Sequence, residues 1–379
     1  MRHIVLTKLD DFPVHQTSEP ISYLATSERN VYGRYWFNGY DPGGEFYFGI
    51  GFGVYPHRRV MDGALSIVRK DGTQESFRAS RQMLGDRTDL RVGPMRLEIL
   101  EPMRALRFTI EENKTGISAD LTFRAITPAH GEPLDLMRTL DGTRRLMETS
   151  RYTQFGVWQG NIKTSDWSQQ IDPARVHSVR DRSWGFRPIG EPEGGLVLPG
   201  LDQIFYLWAP ITWPDRCTHY SVFEYADGVR WKEYGARFPR HAIDSGFDTV
   251  GHEGFGSVAA GAHRLKFVPG TRQVSSAEID LVEDGKTTTI SMETILRFHQ
   301  SGVGYLHPTW GHGCFKGKEE ITSERFNVNE IDRNSHLYGH VQNLVRARMG
   351  DQVGHGILEQ MLFGPHHQYG LVGPTNPPA

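Results

Sequence analysis

The most regular feature of the sequence is an alternation of apolar residues with polar residues or glycines over residues 45–55. In an extended strand, every second side chain projects to the same face. The apolar residues that share one face of this segment are Phe46, Phe48, Ile50, Phe52 and Val54. The other face carries three glycines, which permit strong curvature or the close approach of another backbone. The pattern predicts a strand whose phenylalanines point inward, with some of them lining an apolar pocket.

Short turn signals separate further runs of this kind. Asp-Gly pairs favour tight turns between antiparallel strands, and they occur at residues 62–63, 71–72 and 227–228. We therefore expect residues 59–77 to form three strands joined by two hairpin turns. Long helical periodicity is nearly absent, and the best helix candidate is the segment 138–150. The chain is predicted to be an all-β protein of antiparallel strands.

Chain length and local composition indicate two domains. The sequence has 379 residues, which exceeds the size at which a single hydrophobic core usually stops growing. The stretch 188–199 is rich in proline and glycine and is the best candidate for a linker. We expect an N-terminal domain over residues 1–190 and a C-terminal domain over residues 191–379, each with enough strands to close a barrel or a sandwich.

Charge and residue usage argue against several classes of function. The formal net charge of -3 offers no basic excess to attract nucleic acid. No run approaches the roughly 18 apolar residues of a spanning helix, and the first residues lack the core of a signal peptide, so we expect a cytoplasmic protein without a membrane span. The two cysteines, Cys217 and Cys314, are too few for a disulfide framework or a paired-cysteine metal site. The histidines show no ligand spacing either, so neither a metal nor a cofactor is expected.

One segment carries a specific resemblance. Residues 176–187 read Val-His-Ser-Val-Arg-Asp-Arg-Ser-Trp-Gly-Phe-Arg. The string from Arg180 onward resembles the signature of the double-lipocalin superfamily, which includes carotenoid 1,2-hydratases, AttH-like proteins and polyketide-tailoring Diels–Alderases. Upstream residues 152–160 are similar to the preceding strand in those proteins, and segments 302–313 and 358–366 are similar to an uncharacterised bacterial branch. The resemblance implies two lipocalin-like antiparallel β-barrel or sandwich domains in tandem.

The resemblance also implies site residues. The acid of the signature serves as a proton donor in the carotenoid hydratases, and by position it falls on Asp181. Trp158 matches the upstream tryptophan of those enzymes, whereas the position of their tyrosine holds Val179. The residues to which we assign substrate contacts are His177, Val179, Gln154, Phe48, Phe52 and His312.

Elementary chemistry supports an acid of this kind. Protonation of an alkene requires a carboxyl group that keeps its proton near neutral pH, and burial in an apolar cavity raises the pKa of a carboxyl group. The alternation of a strand places His177 and Val179 on the same face as Asp181, and this more apolar face is assigned to the cavity. The alternative is that Arg180 and Arg182 pair with Asp181, which would then be an ionised carboxylate that fixes a strand end.

The function expected from these observations is a cofactor-independent enzyme that acts on an apolar isoprenoid, steroid-like or polyketide substrate. The reaction would be hydration or dehydration, double-bond isomerisation or cyclisation, initiated by acid. Two alternatives remain open at this point: a non-catalytic carrier of hydrophobic ligands, and a shape template for a pericyclic step without acid chemistry. The sequence leaves the oligomeric state open, a homodimer included.

Overall fold

The computed structural model describes a protein made almost entirely of β-strands. The described residues are 5–14, 18, 20, 22–83, 85–139, 142–189, 203–251, 254–333, 335 and 337–378. Within these residues there is no α-helix, and the helical segments are the short 3₁₀ turns Lys8–Asp11, Pro56–Arg58, Gln300–Val303, Val328–Glu330 and His367–Tyr369.

The described residues form twenty-two strands. The strands before the predicted linker are β1 (Val31–Tyr40), β2 (Phe46–Tyr55), β3 (Val60–Arg69), β4 (Thr73–Gln82), β5 (Arg91–Val92), β6 (Met95–Glu101), β7 (Ala105–Ile110), β8 (Ser118–Ala125), β9 (His130–Gly131), β10 (Asp135–Arg138), β11 (Arg145–Lys163), β12 (Ser168–Ile171) and β13 (His177–Phe186). The strands after it are β14 (Ile204–Thr212), β15 (Arg216–Glu224), β16 (Arg230–Pro239), β17 (Gly256–Phe267), β18 (Val274–Glu283), β19 (Lys286–His299), β20 (Glu319–Asn327), β21 (His340–Met349) and β22 (Gln352–Phe363).

The strands form two sheets. The N-terminal sheet has fourteen strands with the main order β20-β4-β3-β2-β1-β13-β11-β8-β7-β6-β5, and β9, β10 and β12 pair with β11. The C-terminal sheet is a closed barrel of β14 to β19, β21 and β22, in which β22 pairs back onto β14. The predicted fold class, an antiparallel all-β protein with two lipocalin-like units, is therefore confirmed.

The two halves of the chain interlock. Strand β20 belongs to the C-terminal half of the sequence but pairs with β4 over nine residues, so it forms the edge of the N-terminal sheet. This crossover was not predicted. The domain boundary at residues 190 and 191 stays a prediction, because the glycine at 190 and the residues up to 202 lie outside the described part.

Aromatic side chains fill the inside of the N-terminal sheet. Phe46, Phe48, Phe52 and Trp158 all belong to one buried cluster there, which confirms their predicted inward orientation. The Trp158 ring lies 5.9 Å from the Phe48 ring and packs edge-on against two further phenylalanines. This dense contact of rings is a packed core, so these residues stabilise the sheet rather than line a ligand pocket.

Two local predictions for this half are wrong. Asp62 and Gly63 do not form a turn but lie within β3, which is paired without interruption on both sides. Residues 59–77 therefore contain two strands and one turn, the turn at residues 71–72. The described residues of the segment 138–150 do not form a helix either, because they belong to the paired strands β10 and β11 and their connection.

Candidate functional site

The candidate site lies between the two sheets, where β13 occupies the middle of the N-terminal sheet. Asp181 is paired with Trp36 of β1 on one side and with Thr153 of β11 on the other. Residues paired across antiparallel strands project to the same face, with their Cβ atoms about 5 Å apart. His177 and Val179 share this face, as the alternation predicted. The face points away from the aromatic core and towards the C-terminal barrel.

The outer wall of the barrel covers this face. Trp208 of β14 packs edge-on against Trp36, with 5.9 Å between the ring centres. Val179 belongs to the same buried cluster as Trp208 and Phe238 of the barrel. Asp181 thus lies at an aromatic and apolar contact between two sheets, and its side chain stays partly accessible.

The preceding arginine of the signature turns away from Asp181. Arg180 lies on the inner face, where its Nη1 donates to Oδ1 of Asp11 at 2.8 Å. Its Nε donates to Oε1 of Gln154 at 2.9 Å. The fully buried Arg180 therefore has its own carboxylate partner, and that partner comes from the N-terminal 3₁₀ turn.

The following arginine also turns away. Arg182 donates to the main-chain carbonyl oxygens of Ser183, Phe12 and Arg34 at 2.6, 3.3 and 3.4 Å. Across the described part of the chain, no side chain donates a hydrogen bond to the Asp181 carboxyl group and no arginine lies within 4.0 Å of it. The ion-paired alternative for this cluster is therefore wrong.

The surroundings of Asp181 favour its protonated form. Burial raises its pKa to about 6, the positive charge of Arg151 opposes this, and the negative charges of Glu132 and Glu359 add to it. Arg187 also acts to lower the pKa, but more weakly. A carboxyl group with this pKa can both give and take a proton near neutral pH.

A buried cluster of charges beside the site joins the two sheets. Lys232 of the barrel wall bonds to Asp135 and lies 3.6 Å from Glu132. Arg151 lies 3.4 Å from Asp135 and 3.9 Å from Glu132, and Thr153 donates to Glu132 at 2.6 Å. Although burial opposes it, the charges of Arg151 and Lys232 hold the pKa of Glu132 well below its usual range. Glu132 therefore stays ionised and disfavours a second negative charge on Asp181.

Several buried polar atoms on the same two faces have no hydrogen-bond partner among the described residues. They include Nε1 of Trp36, Nε1 of Trp208, both ring nitrogens of His219, Oγ of Ser221 and the hydroxyl of Tyr234. The barrel strands β14, β15 and β16 place the last four side chains next to one another. Buried polar groups normally have partners, so this set of donors and acceptors is available to a polar group of a ligand.

The structure separates the residues predicted from the sequence. Trp158, Gln154, Phe48 and Phe52 lie on the inner face of the N-terminal sheet, opposite to Asp181. Gln154 is fully bonded there, because its Nε2 donates to two main-chain carbonyls and its Oε1 accepts from Arg180. The pairing of β11 with β13 explains the error, since it places Gln154 beside Arg180 rather than beside Asp181.

Two predicted histidines lie on the side of Asp181 but not against it. His177 is four residues along β13, about 13 Å away, and burial lowers its pKa to about 4. His312 lies in the loop before β20, where its Nδ1 accepts a hydrogen bond from Arg187 at 3.2 Å. Val179 is the predicted contact closest to Asp181.

The most prominent neighbours of Asp181 were not predicted from the sequence. Trp36 could have been found, because it alternates with Tyr35 and Phe37 and so belongs to the opposite face of β1 from the core. Trp208 and Glu132 could not, since only the packing of the barrel against the sheet and the β9–β11 connection bring them near.

The described residues show no group of three or more His, Cys, Asp or Glu side chains that could hold a metal ion. Cys217 and Cys314 are buried free thiols. No described helix is long and apolar enough to cross a membrane.

Solved structures with a similar course of the chain are a kievitone hydratase from Nectria haematococca and an AttH-like protein from Nitrosomonas europaea. The first has 13% identity and a TM-score of 0.49, and the match covers 87% of this chain and 89% of the other. The second has 12% identity and a TM-score of 0.49, with coverages of 87% and 92%. CghA follows at 10% identity and a TM-score of 0.46, with 88% of each chain covered. At these identities and TM-scores, the comparison bears on neither the reaction nor the substrate of this chain.

Comparison of the sequence itself gives one family. No curated protein sequence matches the chain at a significant level. A family model matches residues 6–372, which is nearly the whole chain. The protein therefore belongs to the family described as a family of unknown function (DUF8625).

Proposed function

We propose that the protein is a cofactor-independent enzyme in which Asp181 transfers a proton to or from an apolar substrate held between the two sheets. The reaction class is hydration, dehydration, double-bond isomerisation or cyclisation. The observation that carries the proposal is a carboxyl group on an aromatic face, flanked by Trp36 and opposite Trp208, that has no pairing partner among the described residues.

The chemistry follows from the protonation state. With a pKa of about 6, roughly one tenth of the Asp181 carboxyl groups carry a proton at pH 7, and the rest can accept one. Protonation of a double bond would leave a positive charge on carbon, and the nearby indole and phenol rings can stabilise such a charge through their π faces. Asp181, ionised by the first step, then takes a proton back, either directly from carbon or from a water molecule that has added to the cation. In a cyclisation, a second double bond first attacks the cation and moves the charge to another carbon, and one of the same two steps then removes the charge.

The unpaired donors complete the site. The indole N–H groups of Trp36 and Trp208 and the hydroxyls of Ser221 and Tyr234 can bind a hydroxyl or carbonyl oxygen of the substrate, or orient the water that adds. A carrier of hydrophobic ligands does not require a desolvated carboxyl group in its cavity.

The test is an exchange assay in deuterated water with a panel of isoprenoid, steroid and polyketide alkenes. Mass spectrometry would detect deuterium bound to carbon in the product. We expect the wild-type protein to incorporate deuterium and Asp181→Asn to lose about 10²–10⁴ of the rate, the usual contribution of a general acid. Asp120→Asn is the matched control, because Asp120 is an exposed carboxylate on the same sheet, and it should keep the rate.

Other results would favour the alternatives. An Asp181→Asn variant with the wild-type rate would show that the cavity acts as a template without acid chemistry. Ligands that bind but are never converted or exchanged, across the whole panel, would indicate a carrier.

A further inference from the structure

The last arginine of the signature string has an unusual environment. Arg187 follows directly after β13, and its guanidinium group lies between two tyrosine rings, 5.0 Å from the centre of Tyr32 and 5.5 Å from the centre of Tyr305. Cation–π contacts on both sides hold the guanidinium plane in one orientation.

The neighbouring histidine fixes Arg187 further but carries no charge to balance it. Nη2 of Arg187 donates to Nδ1 of His312 at 3.2 Å, so that nitrogen must be the unprotonated one. The other ring nitrogen of His312 then donates to the carbonyl oxygen of Val303 at 3.0 Å. Burial and the positive charges of Arg34 and Arg187 hold the His312 pKa well below its usual range, so the ring stays neutral.

A second arginine on the same tyrosine has a carboxylate of its own. Arg34 lies 5.4 Å from the Tyr305 ring centre, and its Nη1 lies 3.5 Å from Oδ1 of Asp62. Asp62 also accepts a hydrogen bond from the main-chain nitrogen of Gly313 at 2.6 Å. This carboxylate is therefore held at Arg34 and is not available to Arg187.

Arg187 itself has no such partner among the residues that the structure describes. In the described ranges no carboxylate lies within 4.0 Å of its guanidinium group, and its buried Nε donates no hydrogen bond. The phenol of Tyr32 supplies no negative charge, since burial raises its pKa. Arg187 is half-buried, and a positive charge that is partly removed from water without a counter-charge is costly, so a negative group of a ligand would stabilise it.

Arg187 lies on the same face of the N-terminal sheet as Asp181. It shares the Tyr305 ring with Arg34, and Arg34 alternates along β1 with Trp36, the residue paired with Asp181. The charge of Arg187 acts on the carboxyl group of Asp181, and the charge of Asp181 acts in turn on the phenol of Tyr32. The two groups do not contact each other. A ligand bound on this face beside Asp181 would therefore lie in the field of the guanidinium group.

We infer that Arg187 binds an anionic oxygen of the ligand, so that the natural substrates are apolar molecules that carry a carboxylate or phenolate near the reacting double bond. The inference rests on the proposed site between the two sheets but not on acid chemistry there. A guanidinium group with a free edge binds such an oxygen by a charge-assisted hydrogen bond. The tyrosines hold it in place, and Arg187 acts as the residue that selects the charge of the substrate.

The test compares acids with neutral molecules of the same shape. Naphthoate against naphthylmethanol and cinnamate against cinnamyl alcohol would be titrated onto the protein, with tryptophan fluorescence as the readout. We expect wild-type protein to bind each acid at least about tenfold more tightly than its neutral partner, the value of a charge-assisted hydrogen bond. Arg187→Gln should remove this preference and leave the binding of the neutral molecules unchanged.

Two further variants keep the result interpretable. Arg187→Lys retains the charge and should retain part of the preference even if Arg187→Gln folds poorly. Arg107→Gln removes an exposed arginine of the same sheet and should change nothing. Wild-type protein that binds no acid of the series more tightly than its neutral partner overturns the inference, as does an Arg187→Gln variant that keeps the preference.

The binding experiment is independent of turnover. Asp181→Asn should keep the preference for acids or increase it, because a nearby negative charge is removed. If Asp181 proved not to be the acid, the role of Arg187 in binding would therefore be unaffected. If Arg187 proved not to bind anions, the role of Asp181 in turnover would be unaffected as well.

Discussion

Replacement of Asp181 by asparagine should stabilise the protein at neutral pH. The pKa of Asp181 is about 6 in the folded protein, whereas the ordinary value of an aspartate is 3.8. The folded protein therefore holds this proton more tightly than the unfolded chain does. It follows that the contribution of this carboxyl group to the free energy of unfolding is complete below about pH 3.8 and is lost as the pH rises through about 6.

The magnitude follows from the same two values. A difference between 3.8 and about 6 corresponds to about 3 kcal/mol of unfolding free energy. Above about pH 7, Asp181 of the folded wild-type protein is an ionised carboxylate next to Glu132, and this lowers the free energy of unfolding. The Asp181→Asn variant has no charge there. The variant should thus be more stable by up to about 3 kcal/mol there, and equal to the wild type near pH 4 or below.

The assay is urea unfolding of both proteins at several values between about pH 4 and pH 8, followed by tryptophan fluorescence. Asp120→Asn serves as the control, because its expected change in the free energy of unfolding has the opposite sign. Asp120 accepts two hydrogen bonds from the exposed Arg107, which lower its pKa, so its removal should cost at most about 1 kcal/mol at neutral pH.

The reasoning would be refuted by the reverse dependence on pH. If Asp181→Asn proved less stable than the wild type at neutral pH, and if the loss disappeared on acidification, Asp181 would be a paired, ionised carboxylate in solution. The proposed proton transfer would then lack its acid.

Further substitutions test the surroundings of the site. Glu132→Gln should destabilise the protein by about 3–5 kcal/mol, because it breaks a buried ion-pair cluster, and it should lower the Asp181 pKa, which carboxyl NMR would detect. Gly51→Ala should cost about 1–3 kcal/mol in urea unfolding, since its Cβ would lie 2.3 Å from the buried guanidinium of Arg34. Trp158→Phe should cost about 1–3 kcal/mol through its lost hydrogen bond to a main-chain oxygen, with turnover per folded molecule unchanged.

Alternation along single strands was a reliable guide to orientation. It assigned the inward face of β2 correctly, and it separated Asp181 and Val179 from the two arginines of β13. The reason is geometric, because the side-chain period of a strand is two wherever the strand is regular. The glycines opposite the phenylalanines also have a physical reason: the side chains of Arg34, Tyr55 and Phe298 lie over them.

Relations between strands could not be predicted in this way. The sequence alone does not state that β11 pairs with β13 so that Gln154 meets Arg180, or that Trp158 and Asp181 lie on opposite faces of one sheet. The Asp62-Gly63 pair looks like a turn, yet Asp62 is a buried partner of Arg34 within β3. Tertiary pairing overrides the local turn preference there.

Direct titration of the Asp181 carboxyl group tests the central claim. Carbon-13 NMR of protein with labelled aspartate would follow each carboxyl signal against pH, and the signal missing from Asp181→Asn identifies the residue. We predict a midpoint near pH 6 for this signal. A midpoint at or below the ordinary value of 3.8 would contradict the claim, because it would mean that the carboxylate is paired or solvated rather than a desolvated acid.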